Sequence, residues 1–219
     1  MTALITAYGL DDAWFQALVA ILRDGEDYVI HRGSYAGQRR KELEFFTIRV
    51  IQPALQLVPI VPDSVPPPTS RDYIENYLCY LMTGEKAPGE QYTYGERLCP
   101  QIPKVIQMLR ETPNTNQACM EVGQPGDIDL ADPPCLRLVQ CKVRHGALHF
   151  FTYWRSWDLW GGFPSNLGGL QMVKSYMASE IGVEDGDMWA ASAGLHLYEY
   201  AWEWARARTG LTAPQPAQS

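Results

Sequence analysis

The sequence is short of positive charge. Its 219 residues contain 18 Lys and Arg against 25 Asp and Glu, which gives a formal net charge of −7. Without an overall positive field a protein does not hold a long phosphate backbone, so we expect no nucleic-acid partner. Small anionic ligands can still bind through local arginines.

Cysteine is scarce and has no recognisable spacing. The five cysteines are odd in number and never closer than six residues apart, which fits neither a disulfide framework nor a zinc site. They are Cys79, Cys99, Cys119, Cys135 and Cys141. We therefore expect free thiols and no bound metal.

Long apolar runs are also lacking, because charged residues soon interrupt each one. The N-terminal stretch MTALITAYGLDDAWF carries no basic region, so neither a signal peptide nor a membrane span is predicted, and we expect a cytoplasmic protein. The composition, 46% hydrophobic, is that of a globular chain with one sizeable core. Residues 1–210 are predicted to form a single domain and residues 211–219 a flexible, proline-containing tail.

Apolar periodicity predicts five helices. They cover residues 11–22, 70–82, 102–110, 164–181 and 197–208. Asp11 or Asp12 is expected to cap the first helix and Ser70 the second, while Gly182 would stop the fourth. The six prolines between residues 53 and 68 exclude regular structure there.

Two segments have the composition of strands. Residues 27–51 indicate a strand, a loop with three arginines and a second strand. Alternation from residue 138 to residue 155 predicts a hairpin that turns at His145-Gly146. This turn would pair Cys135 with Ser156 and bring Arg155 within one residue of the thiol.

Cys135 is the strongest candidate nucleophile on these grounds. A guanidinium beside a thiol lowers its pKa and favours the thiolate, the nucleophilic form. No histidine is placed next to it, so a protease-like Cys–His pair is not expected. The competing interpretation, a small buried hydrophobe, is the usual one for a cysteine.

Four motifs in the second half of the chain form a known pattern. They are Pro-Pro-Cys at 133–135, Arg-Ser-x-Asp at 155–158, Pro-x-Asn at 164–166 and His-x-Tyr at 196–198. In this order they resemble thymidylate synthase, particularly its shorter archaeal form. The resemblance implies an α/β (α+β) fold, with a mixed, largely antiparallel twisted sheet flanked by helices, and a homodimer formed through that sheet.

The resemblance also implies catalytic roles. Cys135 would add to carbon 6 of dUMP, and Arg155 would stabilise the thiolate and contact the phosphate. Asn166 would read the uracil base, although its position also suits a helix cap. Tyr94 would belong to the water network that removes the carbon 5 proton; taken alone it would be a core residue.

Further residues would bind the nucleotide. Arg32 and Ser156 resemble phosphate ligands, although Arg32 could equally be a solvated loop residue. His196 and Tyr198 resemble the pair that binds the sugar hydroxyl, and Asp158 resembles a group between base and pterin. The co-substrate implied is methylene-tetrahydrofolate or a modified pterin analogue.

The chain also departs from this pattern. Leu136 replaces the usual histidine after the nucleophile, and Asn116 and Gln117 stand where two arginines usually reach the partner's phosphate. Other arginines would have to compensate, with Arg39, Arg40 and Arg137 as candidates. No tryptophan lies between residues 14 and 154, and the C-terminus lacks the family's apolar ending.

These departures concern the last chemical step. Hydride transfer to the methylene gives a methyl product, whereas water gives a hydroxymethyl group, so exclusion of water decides the product. The expected activity is reductive methylation of dUMP to dTMP. The alternatives are a hydroxymethylase acting on dUMP, dCMP or CMP, and a non-catalytic nucleotide-binding relative.

Overall fold

The computed structural model describes residues 2–31 and 35–212. The strands are β1 (Thr2–Ala7), β2 (Glu26–Val29), β3 (Arg39–Leu43), β4 (Phe45–Val50), β5 (Cys119–Glu121), β6 (Leu136–Arg144), β7 (Ala147–Trp154), β8 (Trp157–Asp158), β9 (Glu184–Ser192) and β10 (Leu195–Tyr198). The helices are α1 (Leu10–Asp24), α2 (Arg71–Met82), α3 (Tyr94–Leu98), α4 (Ile102–Glu111), α5 (Phe163–Ile181) and α6 (Trp202–Thr209). Short 3-10 turns cover Pro125–Asp129 and Glu199–Ala201.

The strands form two sheets. The larger has the order β1-β4-β9-β7-β6-β5 and the smaller the order β2-β3-β10-β8. Antiparallel pairs outnumber parallel ones in both sheets. The predicted mixed, largely antiparallel α/β fold in one domain is confirmed, with two sheets instead of one.

The core lies between the larger sheet and the helices. Alternate residues of β7 are buried, including Phe150 and Trp154, and they pack beneath the long helix α5, where Leu167 and Val173 are also buried. This alternation follows from the two-residue period of a strand with one covered face. Within the described ranges no helix combines the length and the apolar character needed to cross a membrane.

The first four predicted helices are present, with small differences at their ends. Ser70 caps α2 as expected, since its hydroxyl accepts from the Tyr73 amide at 3.1 Å. The cap predicted for α1 was wrong, because the helix begins at Leu10 after Gly9. Asp12 already lies inside the helix, and its carboxylate accepts from the Tyr8 amide at 2.8 Å.

The hairpin β6–β7 has the predicted turn but not the predicted register at its open end. A bulge at Arg137 shifts the pairing by one residue. The carbonyl of Arg137 accepts from the amides of Val122 and Gly123, at 2.9 and 2.8 Å. As a result Cys135 faces Arg155 and not Ser156: the Arg155 amide donates to the Cys135 carbonyl at 2.9 Å.

The last predicted helix starts too early in the sequence analysis. Residues 195–198 form strand β10, which pairs with β3 and β8, and the α-helix begins only at Trp202. The strand is too short for its two-residue period to outweigh the helical spacing that follows it. Pairing with distant strands, which local propensity does not encode, decides its conformation.

Candidate active site

A polar cleft surrounds Cys135, and we call it the Cys135 cleft. It has a volume of about 400 Å³. Its lining includes Tyr35, Arg40, Asp132, Cys135, Arg155, Ser156, Asp158, His196 and Tyr198. Six residues predicted for the site, Cys135, Arg155, Ser156, Asp158, His196 and Tyr198, therefore lie together.

The smaller sheet explains this convergence. Strand β10 pairs with β8 on one side, which sets His196 opposite Asp158, and with β3 on the other, which sets Tyr198 opposite Arg40. The segment between β7 and β8 carries Arg155 past the open end of the hairpin. Residues far apart in sequence are thus held on neighbouring strand ends.

The thiol of Cys135 is not activated in the way the sequence indicated. Burial raises its pKa above the ordinary value, and the carboxylates of Asp132 and Asp158 raise it further. Arg155 lowers the pKa but does not outweigh burial. The Arg155 guanidinium donates to the Pro134 carbonyl at 3.2 Å and to the Pro133 carbonyl. It also contacts the carboxylate of Asp132 at 3.4 Å. The expectation of a lowered thiol pKa was wrong for the free chain.

Asp158 closes the turn that leads into α5. Its carboxylate accepts from the amides of Trp160 at 3.0 Å and Gly161 at 3.3 Å. Burial raises the pKa of Asp158 to about 6, although these amides oppose the shift. The group can therefore change its charge close to neutral pH.

His196 is a buried, neutral side chain. Burial lowers its pKa to about 4, and the nearby cations Arg40 and Arg155 act in the same direction. Its Nδ1 lies 3.3 Å from the Ser156 hydroxyl and 3.1 Å from the Gly194 carbonyl. Its buried Nε2 has no hydrogen-bond partner among residues 2–31 and 35–212. A buried polar atom in a cleft wall is available to a ligand.

Arg40 lines the Cys135 cleft, although the sequence identified it only as one of three candidates to replace the missing phosphate-binding arginines. Its guanidinium pairs with Glu42 at 2.6 Å, and its buried Nε has no hydrogen-bond partner in the part of the chain that is described. The other two candidates point elsewhere: Arg39 pairs with Asp27, and Arg137 with Asp127. Tyr35, which stacks on Tyr198 at 4.3 Å, was not predicted. Arg32 lies outside the described residues.

A second cleft, the tyrosine cleft, adjoins the first. It has a volume of about 510 Å³. It is lined by Tyr73, Asn76, Tyr77, Tyr80, Glu90, Tyr92, Tyr94 and Asn166. The sequence predicted helix α2, but none of its tyrosines was among the predicted site residues, and Tyr73 is 56% exposed. Their spacing at 73, 77 and 80, one helix face, was the signal that could have revealed this lining.

Two glycines position this cleft. A Cβ on Gly168 would lie 2.8 Å from the Ile74 side chain, and one on Gly169 would lie 2.6 Å from the Tyr77 ring. Helix α2 therefore approaches α5 more closely than side chains would permit. This close contact brings Tyr77 beside Asn166.

Asn166 does not cap α5, so that interpretation was wrong. The helix begins at Phe163 after Gly162, which leaves Asn166 at the end of the first turn. Its Oδ1 accepts from the indole N–H of Trp157 at 3.0 Å, and its Nδ2 donates to the Tyr77 hydroxyl at 2.8 Å. The side chain is held at the wall of the tyrosine cleft.

The two clefts meet at Cys135 and Tyr94. The Tyr94 hydroxyl accepts from the amide of Leu136, the neighbour of Cys135, at 3.3 Å. Tyr94 begins α3, and Thr93 caps that helix by accepting from the Glu96 amide. Gly162 marks a second junction: a Cβ there would lie 3.4 Å from both the Asn166 Oδ1 and the Asp158 Cβ. The walls of the two clefts are therefore in contact close to Cys135.

The fold and the site define a class of protein, one with a cysteine set between a polar cleft and an aromatic one in a mixed α/β scaffold. Residues 79–214 match the family model described as thymidylate synthase. A protein of Methanosarcina acetivorans named "Putative thymidylate synthase" is 32% identical over 209 residues, which cover 91% of each chain. Proteins of the same name from Methanosarcina barkeri and Methanothermobacter marburgensis are 30% identical, over 91% of each chain, and 29% identical, over 86% of this chain and 89% of the other. The chain belongs to the thymidylate synthase family.

Proposed function

We propose that this chain is a thymidylate synthase, which methylates dUMP at carbon 5 with methylene-tetrahydrofolate or a modified pterin analogue. The observation that carries the proposal is the position of Cys135 where the two clefts meet. A nucleophile at that junction can reach a base held from the polar side and a one-carbon donor held from the aromatic side.

The nucleotide is assigned to the Cys135 cleft. Arg155 and Arg40 supply positive charge for the phosphate, and Ser156 supplies a hydroxyl donor. Neutral His196 and Tyr198, whose pKa burial raises to about 12, offer uncharged hydrogen-bonding groups for the sugar hydroxyl. Arg32 remains a proposed phosphate ligand.

Cys135 would act as a covalent catalyst. Its sulfur forms a bond to carbon 6 of the ring, which moves the electron pair of the 5,6 double bond toward carbon 5 and makes that carbon nucleophilic. Arg155 stabilises the thiolate as it forms. After carbon transfer, loss of the carbon 5 proton through water held by Tyr94 would break the bond to the folate nitrogen and leave a methylene group on carbon 5. Hydride from the released tetrahydrofolate would reduce this methylene to methyl and give dihydrofolate, and the sulfur would leave as the 5,6 double bond returns.

The tyrosine cleft fits a flat co-substrate. Tyr77 stacks with Tyr80 at 5.4 Å and with Tyr73 at 6.4 Å, so broad aromatic faces line the opening. Asn76 and Glu90 add polar groups. When bound there, methylene-tetrahydrofolate supplies the one-carbon unit and the hydride. The tyrosines would hold the rings of the co-substrate and exclude water. They would replace the tryptophans that the family has in the middle of the chain, where this sequence has none between residues 14 and 154.

A cytoplasmic homodimer completes the proposal. The face of the larger sheet turned away from α5 carries a stacked pair, Phe151 and Trp189, whose ring centroids are 6.0 Å apart. Lys142 lies over the first ring and Arg49 over the second. A face with half-buried aromatic rings and cations over them is suited to a second copy of the chain. Sedimentation should show a dimer that Trp189→Glu weakens.

The deciding experiment incubates the protein with dUMP and methylene-tetrahydrofolate, with product mass and dihydrofolate absorbance recorded together. A methyl product with an equal amount of dihydrofolate is the expected result. A hydroxymethyl product without dihydrofolate would assign the chain to the hydroxymethylases. Nucleotide binding without any product, with dCMP and CMP also tested, would indicate a non-catalytic relative or a different pterin, which a second assay with pterin analogues separates.

A further inference from the structure

We propose that the indole N–H of Trp157 locks the side-chain amide of Asn166 in one orientation, and that this lock makes the site select uracil over cytosine. The inference rests on the proposed function for the role of Asn166. Its own basis is the pair of contacts at that amide: Trp157 Nε1 donates to Oδ1 at 3.0 Å, and Nδ2 donates to the Tyr77 hydroxyl at 2.8 Å.

An asparagine amide can serve either base. With a nucleotide held by its sugar and phosphate, uracil presents the N3–H donor and the O4 acceptor, whereas cytosine presents the N3 acceptor and the N4 amino donor. An amide matches one edge in one orientation and the other edge after a half turn about its χ2 bond. Asparagine alone therefore gives little discrimination between the two bases, and something must prevent the turn.

Trp157 has the chemistry to prevent it. An indole N–H can only donate, so the amide atom facing it must be the oxygen. After a half turn the amide NH₂ would face this N–H, and two donors would meet without an acceptor. The Tyr77 hydroxyl can donate or accept and so tolerates both orientations. Of these two partners, only Trp157 distinguishes the two orientations of the amide.

The lock requires an indole that cannot move aside, and the fold supplies one. Trp157 is 1% exposed and stacks on Trp154 with a centroid distance of 4.6 Å and an interplanar angle of 3°. Phe163 packs against it at 4.4 Å. The backbone amide of Trp157 donates to the Gly194 carbonyl at 3.1 Å, beside β10. Both the ring and its backbone are fixed.

The amide keeps enough capacity to read a base. Its oxygen has a second lone pair and its nitrogen a second proton, since Trp157 and Tyr77 each take one. Asn166 lies on the wall of the tyrosine cleft, and a side chain at Gly162 would come within 3.4 Å of its Oδ1. The glycine thus leaves the remaining acceptor open to a ligand.

The test measures binding and does not depend on turnover. Titration calorimetry gives the Kd values of dUMP and dCMP for the full chain and for Trp157→Phe, which keeps an aromatic ring and removes the N–H. We expect the wild type to prefer dUMP by roughly 10- to 100-fold, as for a buried hydrogen bond against two facing donors. The variant should lose at least about tenfold of this preference, mainly by binding dCMP more tightly.

Trp154→Phe is the matched control. It removes the same group from the other ring of the stacked pair, whose N–H donates to the Thr152 hydroxyl at 3.1 Å. Tyr77→Phe removes the other amide partner. Both variants should keep the ratio of the two Kd values, even if affinities fall. Should Trp157→Phe not fold, benzothienylalanine at position 157 replaces only the N–H by sulfur.

The outcomes separate the lock from the proposed function. A folded Trp157→Phe variant whose dUMP preference is within twofold of the wild type overturns the lock. So does an equal loss in the Trp154→Phe control. A wild type that binds neither nucleotide, or prefers dCMP, instead overturns the assignment of dUMP as the substrate and with it the base named here.

Discussion

The two clefts that meet at Cys135 differ in how they are built and in what they can bind. Strand ends form the Cys135 cleft and bring together charged groups of both signs, among them Arg40, Arg155 and Asp158. Helices α2, α3 and α5 and the segment before α3 form the tyrosine cleft, whose lining is mostly aromatic and, apart from Glu90, uncharged. Charged side chains bind phosphate groups, whereas aromatic side chains stack on the flat rings of a ligand. The comparison favours the phosphate and sugar of the nucleotide in the Cys135 cleft and the co-substrate in the tyrosine cleft, with the base between them beside Asn166.

Removal of the nucleophile should have the largest effect. Cys135→Ser is expected to reduce kcat by roughly 10⁴-fold or more, because the covalent route is lost while the clefts remain. The Kd of dUMP should change by less than about threefold, since the thiol is a small part of the contact surface. Steady-state kinetics and calorimetry measure the two quantities.

Cys79→Ser is the control for this change, because Cys79 is exposed on α2 and lies outside both clefts. Its kcat should equal that of the wild type. Retention of turnover in Cys135→Ser would remove the cysteine from the mechanism.

Burial of His196 should make the stability of the free chain sensitive to acid. Its folded pKa of about 4 lies below the ordinary 6.5, so between these values the unfolded chain binds a proton that the folded chain does not. The free energy of unfolding should therefore fall as pH decreases from 6.5 to 4, by up to about 3 kcal/mol from this group.

Urea unfolding at several pH values measures this dependence. His196→Asn should flatten the decline over that window, whereas His145→Asn, on an exposed turn with a φ of 53° that asparagine tolerates, should leave it unchanged. Identical pH profiles for the wild type and His196→Asn would show that another group is responsible.

A substitution of Arg40 tests whether the Cys135 cleft binds the phosphate. Arg40→Gln should weaken dUMP binding by about 10- to 100-fold, the usual effect of losing hydrogen bonds to a charged group. Deoxyuridine, which has no phosphate, should lose much less affinity.

Arg39→Gln is the neighbouring control, because Arg39 is 46% exposed and pairs with Asp27 outside the cleft. It should bind dUMP as the wild type does. An equal loss for dUMP and deoxyuridine in Arg40→Gln would place Arg40 at the sugar or base.

The smallest effect is expected in the tyrosine cleft, where several rings share the contact. Tyr73→Ala should raise the KM for the folate co-substrate by about 2- to 10-fold through lost stacking, without changing the Kd of dUMP. Tyr176→Ala, an exposed tyrosine of α5 that lines neither cleft, is the control. A change in dUMP affinity without a change in KM would reverse the assignment of the two clefts.

Much of the Cys135 cleft could be predicted from the sequence, because many of its residues fall in short motifs. The hairpin turn at His145-Gly146 and the Pro-Pro-Cys entry already placed Arg155 near Cys135. The direction of the thiol pKa could not be predicted, since it depends on how strongly the cleft walls remove water from the sulfur. The bulge at Arg137 was equally hidden, because the hydrogen bonds that its carbonyl accepts come from Val122 and Gly123, outside the hairpin.

The tyrosine cleft was predicted only in part. Tyr94 and Asn166 came from motifs, but Tyr77 was not among the predicted site residues. Its role depends on the close approach of α2 to α5 at Gly168 and Gly169. Helix periodicity identifies a face of a helix but not the element that covers it.

The sequence by itself determined the fold class, most helices, the hairpin and the choice of Cys135 as the candidate nucleophile, since these depend on local periodicity and on motifs of adjacent residues. Only the tertiary structure decided that β10 is a strand, that Arg40 lines the cleft and that Trp157 faces the Asn166 amide. Each of these depends on pairing between segments distant in the chain, and the energies that select such pairings come from contacts that no local pattern contains.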